Sequence, residues 1–253
     1  MKYYLVTGTS RGIGEGIVKA LIGPGARIFS ISRSDNEELR RAASEKGGEV
    51  RFFPFDLDHI ERIDGFVEEL FREIDFDEAE GIYLVNNAGI LPPVGPIEKN
   101  TTEELRLHMN VNLIAPMRLC SAFIRNLEPF TGRKVILNII SGAAERPYFG
   151  WSAYSSSKAA LSTCTRVIGE EQRERQYPVV AYGVHPGVIA TGMQEYIRGL
   201  DEADFAAKSK FVRYHEKGYL ASPIETGRRI ADTLDDPRIS TGDVIDLRSF
   251  FGS

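Results

Sequence analysis

Short hydrophobic runs alternate with longer amphipathic stretches along most of the chain. Seven runs have the length and composition of buried strands, and they cover residues 3–7, 27–32, 50–55, 81–85, 135–140, 179–184 and 244–247. Between the third and fourth runs, hydrophobic positions recur at spacings of three and four, which predicts a helix, at Ile60, Ile63, Val67, Leu70 and Ile74. Alternating strands and helices are typical of an α/β fold. The pattern therefore predicts a doubly wound Rossmann sheet of seven parallel strands with helices on both faces.

The alternation continues without a linker, an internal repeat or a low-complexity tract, so we expect residues 1–253 to form a single domain. One stretch, residues 194–222, departs from it because it is long and rich in charged and aromatic residues. Long insertions in compact domains often close over a ligand, although many are plain surface excursions. The sequence therefore indicates a substrate lid or a surface excursion at 194–222, followed by a helix from Pro223 to Leu234.

Composition and charge argue against several classes of function. The formal net charge is −5 and the basic residues are scattered, so the chain offers no concentrated positive surface for nucleic acid. No apolar stretch is long enough to span a bilayer and no signal-peptide pattern opens the chain, so we expect a cytoplasmic protein. The four histidines show no ligand spacing, which argues against a metal site, and no serine has the surroundings of a hydrolase nucleophile. A small molecule is therefore the expected partner.

A glycine-rich turn follows the first predicted strand. Residues 7–14 read Thr-Gly-Thr-Ser-Arg-Gly-Ile-Gly and lead into a helical pattern. Glycines allow the backbone to turn sharply and to approach a pyrophosphate, whose charge is attracted by the free N–H groups at the start of the helix. Taken alone, the turn could equally be a plain connection between strand and helix. Its place after the first strand favours dinucleotide binding.

The end of the second predicted strand bears on the choice between NAD and NADP. A carboxylate there would bind the ribose 2′-hydroxyl of NAD. The strand instead ends in Ile31-Ser32-Arg33, and Arg33 can pair with a 2′-phosphate, helped by Arg11 from the glycine-rich turn. Both arginines could also be ordinary surface charges, and Asp35 lies close enough in sequence to act as a counterweight. The agreement of two positions predicts NADP(H).

Tyr154 and Lys158 are four residues apart in a helical stretch, so their side chains should share one face. An ammonium beside a phenol favours the phenolate, which predicts a tyrosine pKa lowered towards neutrality and suited to acid-base catalysis. In a chain with ten tyrosines such a pair also arises by chance, so the pair alone does not identify an enzyme. Ser141 follows the fifth predicted strand, at the edge where doubly wound proteins bind ligands, and its hydroxyl could hold a substrate carbonyl.

Together these motifs resemble the short-chain dehydrogenase/reductase family over essentially the whole chain. In order, they are the turn at residues 7–14, Asn86-Asn87-Ala88-Gly89, Asn112, Ser141, Tyr154-Ser155-Ser156-Ser157-Lys158 and His185-Pro186-Gly187-Val188. The resemblance implies that Tyr154 protonates the carbonyl oxygen and that Ser141 orients it. It also implies that Lys158 holds the nicotinamide ribose and that Asn112 anchors a water which relays protons. The implied catalytic residues are therefore Asn112, Ser141, Tyr154 and Lys158.

The same resemblance implies a dinucleotide site and an oligomer. The implied cofactor residues are Gly8, Ser10, Arg11, Gly12, Ile13, Gly14, Arg33, Asp56, Leu57, Asn87, Ala88, Gly89, Tyr154, Lys158, Pro186, Gly187, Val188 and Thr191. Among them, Asp56 and Leu57 would border the adenine, and residues 186–191 would contact the nicotinamide end. Members of the family often pair through two long helices, here around residues 103–125 and 154–173, so a homodimer or a homotetramer is expected.

Two further segments resemble the sepiapterin reductase-like group of this family, which includes bacterial benzil reductases. They are Pro147-Tyr148-Phe149-Gly150-Trp151 and Pro96-Ile97-Glu98-Lys99. Aromatic residues just before the tyrosine could form an apolar wall for aryl ketones, or they could pack in a loop or a subunit contact. The wall hypothesis makes Tyr148, Trp151 and Met193 candidate substrate residues.

The resulting hypothesis is an NADPH-dependent carbonyl reductase that reduces a ketone or a vicinal dicarbonyl, such as benzil or sepiapterin. An oxidoreductase for 3-oxoacyl thioesters or sugar alcohols would use the same catalytic residues. A sensor that binds NADP without turnover is the alternative from another class. The intact Ser141, Tyr154 and Lys158 favour the enzyme, because a sensor does not need a proton donor.

Overall fold

All seven expected strands form, and they lie in one sheet. The structure is a computed structural model that describes residues 1–252 of the 253-residue chain. The strands are β1 (Lys2–Thr7), β2 (Ala26–Ser32), β3 (Glu49–Pro54), β4 (Gly81–Asn86), β5 (Arg133–Ile139), β6 (Val180–His185) and β7 (Val244–Asp246). Every neighbouring pair is parallel, in the order β3-β2-β1-β4-β5-β6-β7. The predicted doubly wound parallel sheet is therefore confirmed, and each strand boundary lies within two residues of its prediction.

Ten α-helices connect and cover the strands in the described part of the chain. They are α1 (Gly12–Leu21), α2 (Glu37–Glu45), α3 (Ile63–Arg72), α4 (Thr102–Met109), α5 (Ala115–Asn126), α6 (Ser152–Arg173), α7 (Gly192–Gly199), α8 (Lys208–Glu216), α9 (Pro223–Thr233) and α10 (Leu247–Phe250). Short 3₁₀ turns lie at Ile60–Arg62, Ile97–Lys99 and Gly142–Ala144. The helix expected at residues 60–74 therefore starts as a 3₁₀ turn and continues as α3.

The long helix expected around residues 103–125 is interrupted. A π-helical turn at Asn110–Ile114 joins α4 to α5. Pro116 has no N–H, so it cannot donate to the carbonyl of Asn112 as residue i+4 of a regular α-helix would. The wider π turn accommodates this missing hydrogen bond, and turns of this kind are frequent at functional sites.

Two hydrophobic cores lie on opposite faces of the sheet. Along β1, Tyr3 and Leu5 belong to one core, and Tyr4 and Val6 belong to the other, as the two-residue period of a strand requires. Side chains of α3 and α5 complete the first core, and side chains of α1 and α9 complete the second. Because helices cover both faces, a ligand site can open only at the ends of the strands.

Residues 194–222 hold most of α7, all of α8 and the loop between them. Phe205 in the loop and Phe211 in α8 are buried in a hydrophobic cluster that also contains Trp151 and Tyr154. The segment therefore packs against residues predicted for the site and is more than a surface excursion. Its movement as a lid stays a prediction.

The helices expected to pair subunits carry exposed hydrophobic side chains. Leu107 in α4, Met117 in α5 and Val167 in α6 are between 40% and 48% exposed. Such residues suit a contact between chains, although the homodimer or homotetramer stays a prediction. Among the described residues, no helix is both long and apolar enough to cross a membrane, and no group of three His, Cys, Asp or Glu side chains is arranged to hold a metal ion.

Candidate active site

A large cleft opens beyond the carboxyl ends of the strands, where doubly wound proteins bind ligands. Its volume is about 1570 Å³. Every residue that the sequence assigns to catalysis, cofactor or substrate lines this cleft, except Gly14 and Asn112. The glycine-rich turn, the tyrosine and the aromatic residues before it therefore share one space.

The glycine-rich turn between β1 and α1 needs glycine at three positions. Gly8 and Gly12 have φ angles of +72° and +69°, in the left-handed region that other residues rarely adopt. A Cβ atom on Gly14 would lie 2.2 Å from the Gly8 carbonyl oxygen and 2.5 Å from Asn87 Nδ2, so the turn closes only with glycine there. Arg11, the residue before α1, forms no side-chain cap. The first N–H groups of α1 therefore remain for a bound phosphate.

Asn87, which follows β4, holds this turn in place. Its Nδ2 donates to the carbonyl oxygens of Thr7 (2.9 Å) and Gly8 (3.1 Å). In return, Thr7 Oγ1 accepts hydrogen bonds from the main-chain N–H groups of Asn87 (3.0 Å) and Ala88 (3.1 Å). The asparagine motif therefore fixes the ends of two strands against each other, in addition to the cofactor contact expected for it.

Positive charge is exposed where β2 ends. The Arg33 side chain is 73% exposed, and its ion-pair partner Asp56 lies at the long distance of 4.0 Å. Asp35, the suggested counterweight, forms an ion pair with Arg40 of α2, so much of its charge is offset. Arg11 lines the same cleft. This arrangement suits an anionic group of a ligand. It is less suited to a ribose 2′-hydroxyl, which a free carboxylate would bind.

Tyr154 and Lys158 lie one turn apart on the buried face of α6. Lys158 Nζ donates to the carbonyl oxygen of Ile139 at the end of β5 (2.8 Å), and burial lowers the pKa of Lys158 to about 8. Burial raises the pKa of Tyr154, and a hydrogen bond with the Ser141 side chain opposes this only in part. The expectation of a lowered tyrosine pKa is therefore wrong for this arrangement. Desolvation of the phenolate dominates because the Lys158 ammonium is directed at Ile139.

Asn112 is buried in the π turn, and protein groups occupy its side chain. Its Oδ1 accepts a hydrogen bond from the Ile90 N–H (2.8 Å), and its Nδ2 donates to the Ile90 carbonyl oxygen (2.7 Å). The same Nδ2 lies 2.9 Å from Nε2 of His108. No sequence motif marks a histidine at position 108, so a role for His108 could not be predicted from the sequence.

The aromatic residues before the tyrosine both pack together and line the cleft. The Trp151 ring stacks on Phe205 at 4.7 Å between centroids and meets the Tyr154 ring edge-on at 5.4 Å. Tyr148 lies 5.0 Å from Trp151, and both residues belong to the cleft wall. Phe149, between them in sequence, is 55% exposed. An apolar surface therefore lies beside the Tyr154 ring.

Comparison with known proteins identifies the family. The sequence profile described as short chain dehydrogenase matches residues 2–201, which is most of the chain. The chain belongs to the short-chain dehydrogenase family. It is therefore an oxidoreductase, and members of its family bind NAD or NADP.

This dehydrogenase is similar to reductases along nearly its whole length. It is 36% identical to the benzil reductase ((S)-benzoin forming) of Bacillus cereus over 245 residues, which cover 97% of this chain and 98% of the relative. It is 28% identical to the sepiapterin reductase of Xenopus laevis, with coverage of 96% and 94%. The crystal structure of the KRED1-Pglu enzyme is 29% identical, with a TM-score of 0.81 over 97% of this chain and all of that one. The resemblance to benzil and sepiapterin reductases is confirmed.

Gln194 and Trp151, in the cleft wall of the dehydrogenase, are among the residues whose buried polar groups lack a hydrogen-bond partner in the described part of the chain. Gln194 of α7 is 2% exposed, and neither its Nε2 nor its Oε1 is hydrogen-bonded to another described residue. Nε1 of Trp151 also lacks a partner within residues 1–252. An unpaired buried polar group costs about 1–3 kcal/mol and calls for an explanation, such as service to a ligand. No motif marks Gln194, so its place in the cleft could not be predicted from the sequence.

Proposed function

We propose that this dehydrogenase is an NADPH-dependent carbonyl reductase that acts on a ketone or a vicinal dicarbonyl, with Tyr154 as the proton donor. The observation that carries the proposal is that Tyr154 and Ser141 line the same cleft as the glycine-rich turn, with Ser141 close enough to lower the Tyr154 pKa in part. Because burial raises its pKa, the phenol keeps its proton at neutral pH. Reduction of a carbonyl needs such a protonated donor.

The residues of the cleft fit a nicotinamide dinucleotide, which would supply the hydride when bound. The uncapped first turn of α1 would hold its pyrophosphate, and residues 186–191 would contact its nicotinamide end. Arg33 would pair with the 2′-phosphate, which is the basis for NADPH over NADH. Lys158 would bind the nicotinamide ribose.

The protein groups divide the proton chemistry among them. Ser141 would donate a hydrogen bond to the substrate carbonyl oxygen, and Tyr154 would transfer its proton to that oxygen. The Lys158 ammonium, whose pKa is about 8, would stabilise the phenolate that remains. Because the side chain of Asn112 is occupied, the relay water expected there would bind its main-chain carbonyl, to which Pro116 cannot donate.

Aromatic vicinal diketones are the substrates we favour within this class. The relatives named benzil reductase and sepiapterin reductase support a dicarbonyl or a ring-bearing ketone. Trp151 and Tyr148, beside Tyr154 in the cleft, would pack against a phenyl ring of the substrate. A sugar alcohol would place hydroxyl groups against the same apolar surface, which is a poorer match.

Turnover of benzil tests the proposal directly. We expect purified protein to convert benzil to benzoin with NADPH, followed by the loss of near-ultraviolet absorbance and by chiral analysis of the product. The panel should include sepiapterin, a 3-oxoacyl thioester and several sugars, because these represent the alternative substrates. Binding of NADPH without turnover of any carbonyl would support the sensor and contradict the reductase.

A diketone substrate has a second carbonyl group, which would be a hydrogen-bond acceptor for the unpaired amide of Gln194. We expect Gln194, after a turn of its side chain towards the cleft, to donate to the oxygen of a diketone that is not being reduced. Gln194→Met keeps the length of the side chain and removes the amide. With benzil, kcat/KM should fall about fivefold to tenfold, the value of one neutral hydrogen bond.

The matched substrate is deoxybenzoin, which has a methylene group in place of the second carbonyl. Its kcat/KM should change little in Gln194→Met, and Gln176→Met, the same change at an exposed position, should leave both substrates unaffected. Equal losses for benzil and deoxybenzoin would remove Gln194 from substrate recognition. A selective loss of NADPH affinity would assign the amide to the cofactor instead.

A further inference from the structure

We propose that His108 is a positioning residue. In its neutral form, protonated at Nδ1, it fixes the position of Asn112 relative to the first turn of α6, which carries Tyr154. The imidazole is fully buried and contacts three separate segments. Its Nδ1 lies 2.6 Å from the Pro92 carbonyl oxygen in the loop after β4. Its Nε2 lies 2.9 Å from Asn112 Nδ2 in the π turn and 3.0 Å from Ser157 Oγ in α6.

The hydrogen-bond partners determine which nitrogen carries the proton. The Pro92 carbonyl can only accept, so Nδ1 must be the donor. The orientation of the Asn112 amide is fixed independently, because its Oδ1 faces the Ile90 N–H and its Nδ2 faces the Ile90 carbonyl. Nδ2 therefore points a proton at Nε2 of His108, and Nε2 must accept it.

The third partner connects the imidazole to the tyrosine. Ser157 Oγ lies 3.0 Å from Nε2 of His108 and 3.0 Å from the main-chain carbonyl oxygen of Tyr154, and its single proton can be donated to either acceptor. The ring of His108 also meets the Tyr154 ring edge-on, at 6.2 Å between centroids. One imidazole thus links the asparagine of the proposed proton relay to the first turn of α6, which carries the proposed acid.

A second proton on His108 would disrupt these contacts. An Nε2–H would face the Asn112 Nδ2–H, so two donors would meet 2.9 Å apart. The titratable side chains that face the ring are Lys158 and Tyr154, both from α6; the groups facing it from the other two segments, at Pro92 and Asn112, are not titratable. Burial and the nearby Lys158 charge lower the pKa of His108, and the Pro92 carbonyl opposes them. The neutral form is therefore favoured at neutral pH.

The direct test uses two replacements of His108. His108→Gln offers a non-titrating acceptor near the position of Nε2, whereas His108→Phe keeps a ring and removes both hydrogen bonds. We expect His108→Phe to lower kcat about tenfold or more through misplacement of the tyrosine turn, with the KM for NADPH close to wild type. His108→Gln should restore most of kcat. It should also retain activity at acid pH, where the wild type loses it as His108 becomes protonated.

The exposed His215 of α8 provides a control, because His215→Gln should lose activity at acid pH in the same way as the wild type. Thermal unfolding of each variant separates loss of fold from loss of rate. The positioning role would be overturned if folded His108→Phe has an unchanged kcat, or if His108→Gln loses activity at acid pH as the wild type does.

A second measurement avoids both substrate and variants. The kcat measurements rest on the proposed carbonyl reduction. Imidazole nitrogen chemical shifts of the wild-type protein report the tautomer of His108 directly. We expect His108 to carry its proton on Nδ1 alone at neutral pH. Protonation of Nε2 would overturn the inference even if benzil is reduced, and the expected tautomer would support it even if another carbonyl proves to be the substrate.

Discussion

Replacement of Tyr154 by phenylalanine should lower kcat for carbonyl reduction by about a hundredfold or more, because it removes the proposed general acid. The phenyl ring can keep the edge-on contacts of Tyr154 with Trp151 and His108, so the fold should be preserved. Affinity for NADPH should stay almost unchanged. Steady-state turnover of benzil and a fluorescence titration with NADPH measure the two quantities separately.

Tyr148→Phe is the matched control, since it removes a hydroxyl from the same aromatic cluster. The Tyr148 hydroxyl accepts a hydrogen bond from Lys210 (3.1 Å), and Tyr148 lines the same cleft. We expect only a modest change in kcat for this variant. Wild-type turnover by Tyr154→Phe would show that another group donates the proton. Equal losses in both variants would indicate a general effect on the cluster.

The strands and the order of the sheet could be predicted because each strand is a short apolar run between polar turns. Tyr4-Leu5-Val6 in β1 and Leu84-Val85 in β4 are buried on both faces, so hydrophobicity alone marks them. Parallel strands then bring their carboxyl ends to one edge. The residues that follow β1, β4 and β5 could therefore be assigned to a common cleft from the sequence alone.

Contacts between distant segments could not be predicted in this way. His108 meets Pro92 and Ser157, which lie 16 and 49 residues away in sequence, and no local pattern announces such a contact. The amide of Gln194 is distinguished only by its lack of hydrogen-bond partners, which depends on how α7 packs. Both residues emerge only from the folded arrangement.

The pKa of Tyr154 shows why spacing is not enough to predict electrostatics. Spacing correctly places Lys158 one turn away on the same helix face. It does not reveal that the ammonium donates to the Ile139 carbonyl, or that burial disfavours both charged forms. Desolvation thus raises the pKa of the phenol and lowers the pKa of the lysine. A simple ion pair would instead lower the pKa of the phenol.

Replacement of Arg33 by alanine should lower kcat/KM for NADPH by about tenfold or more, the value of a charge-assisted hydrogen bond to phosphate. The same variant should affect NADH little, because NADH lacks the 2′-phosphate. Arg33 is free to reach such a group, since its side chain is 73% exposed and Asp56 is 4.0 Å away. Initial rates with the two cofactors, at a fixed concentration of benzil, give the ratio.

Arg41→Ala makes the same change of charge at an exposed position of α2, outside the residues that line the cleft. If the preference for NADPH arises from general electrostatic attraction, both variants should weaken NADPH alike, and the effect should fade with added salt. If Arg33 binds the 2′-phosphate directly, only Arg33→Ala should change the ratio of NADPH to NADH. Equal losses for the two cofactors in Arg33→Ala would mean that the arginine contacts a part which they share, and the 2′-phosphate assignment would fail.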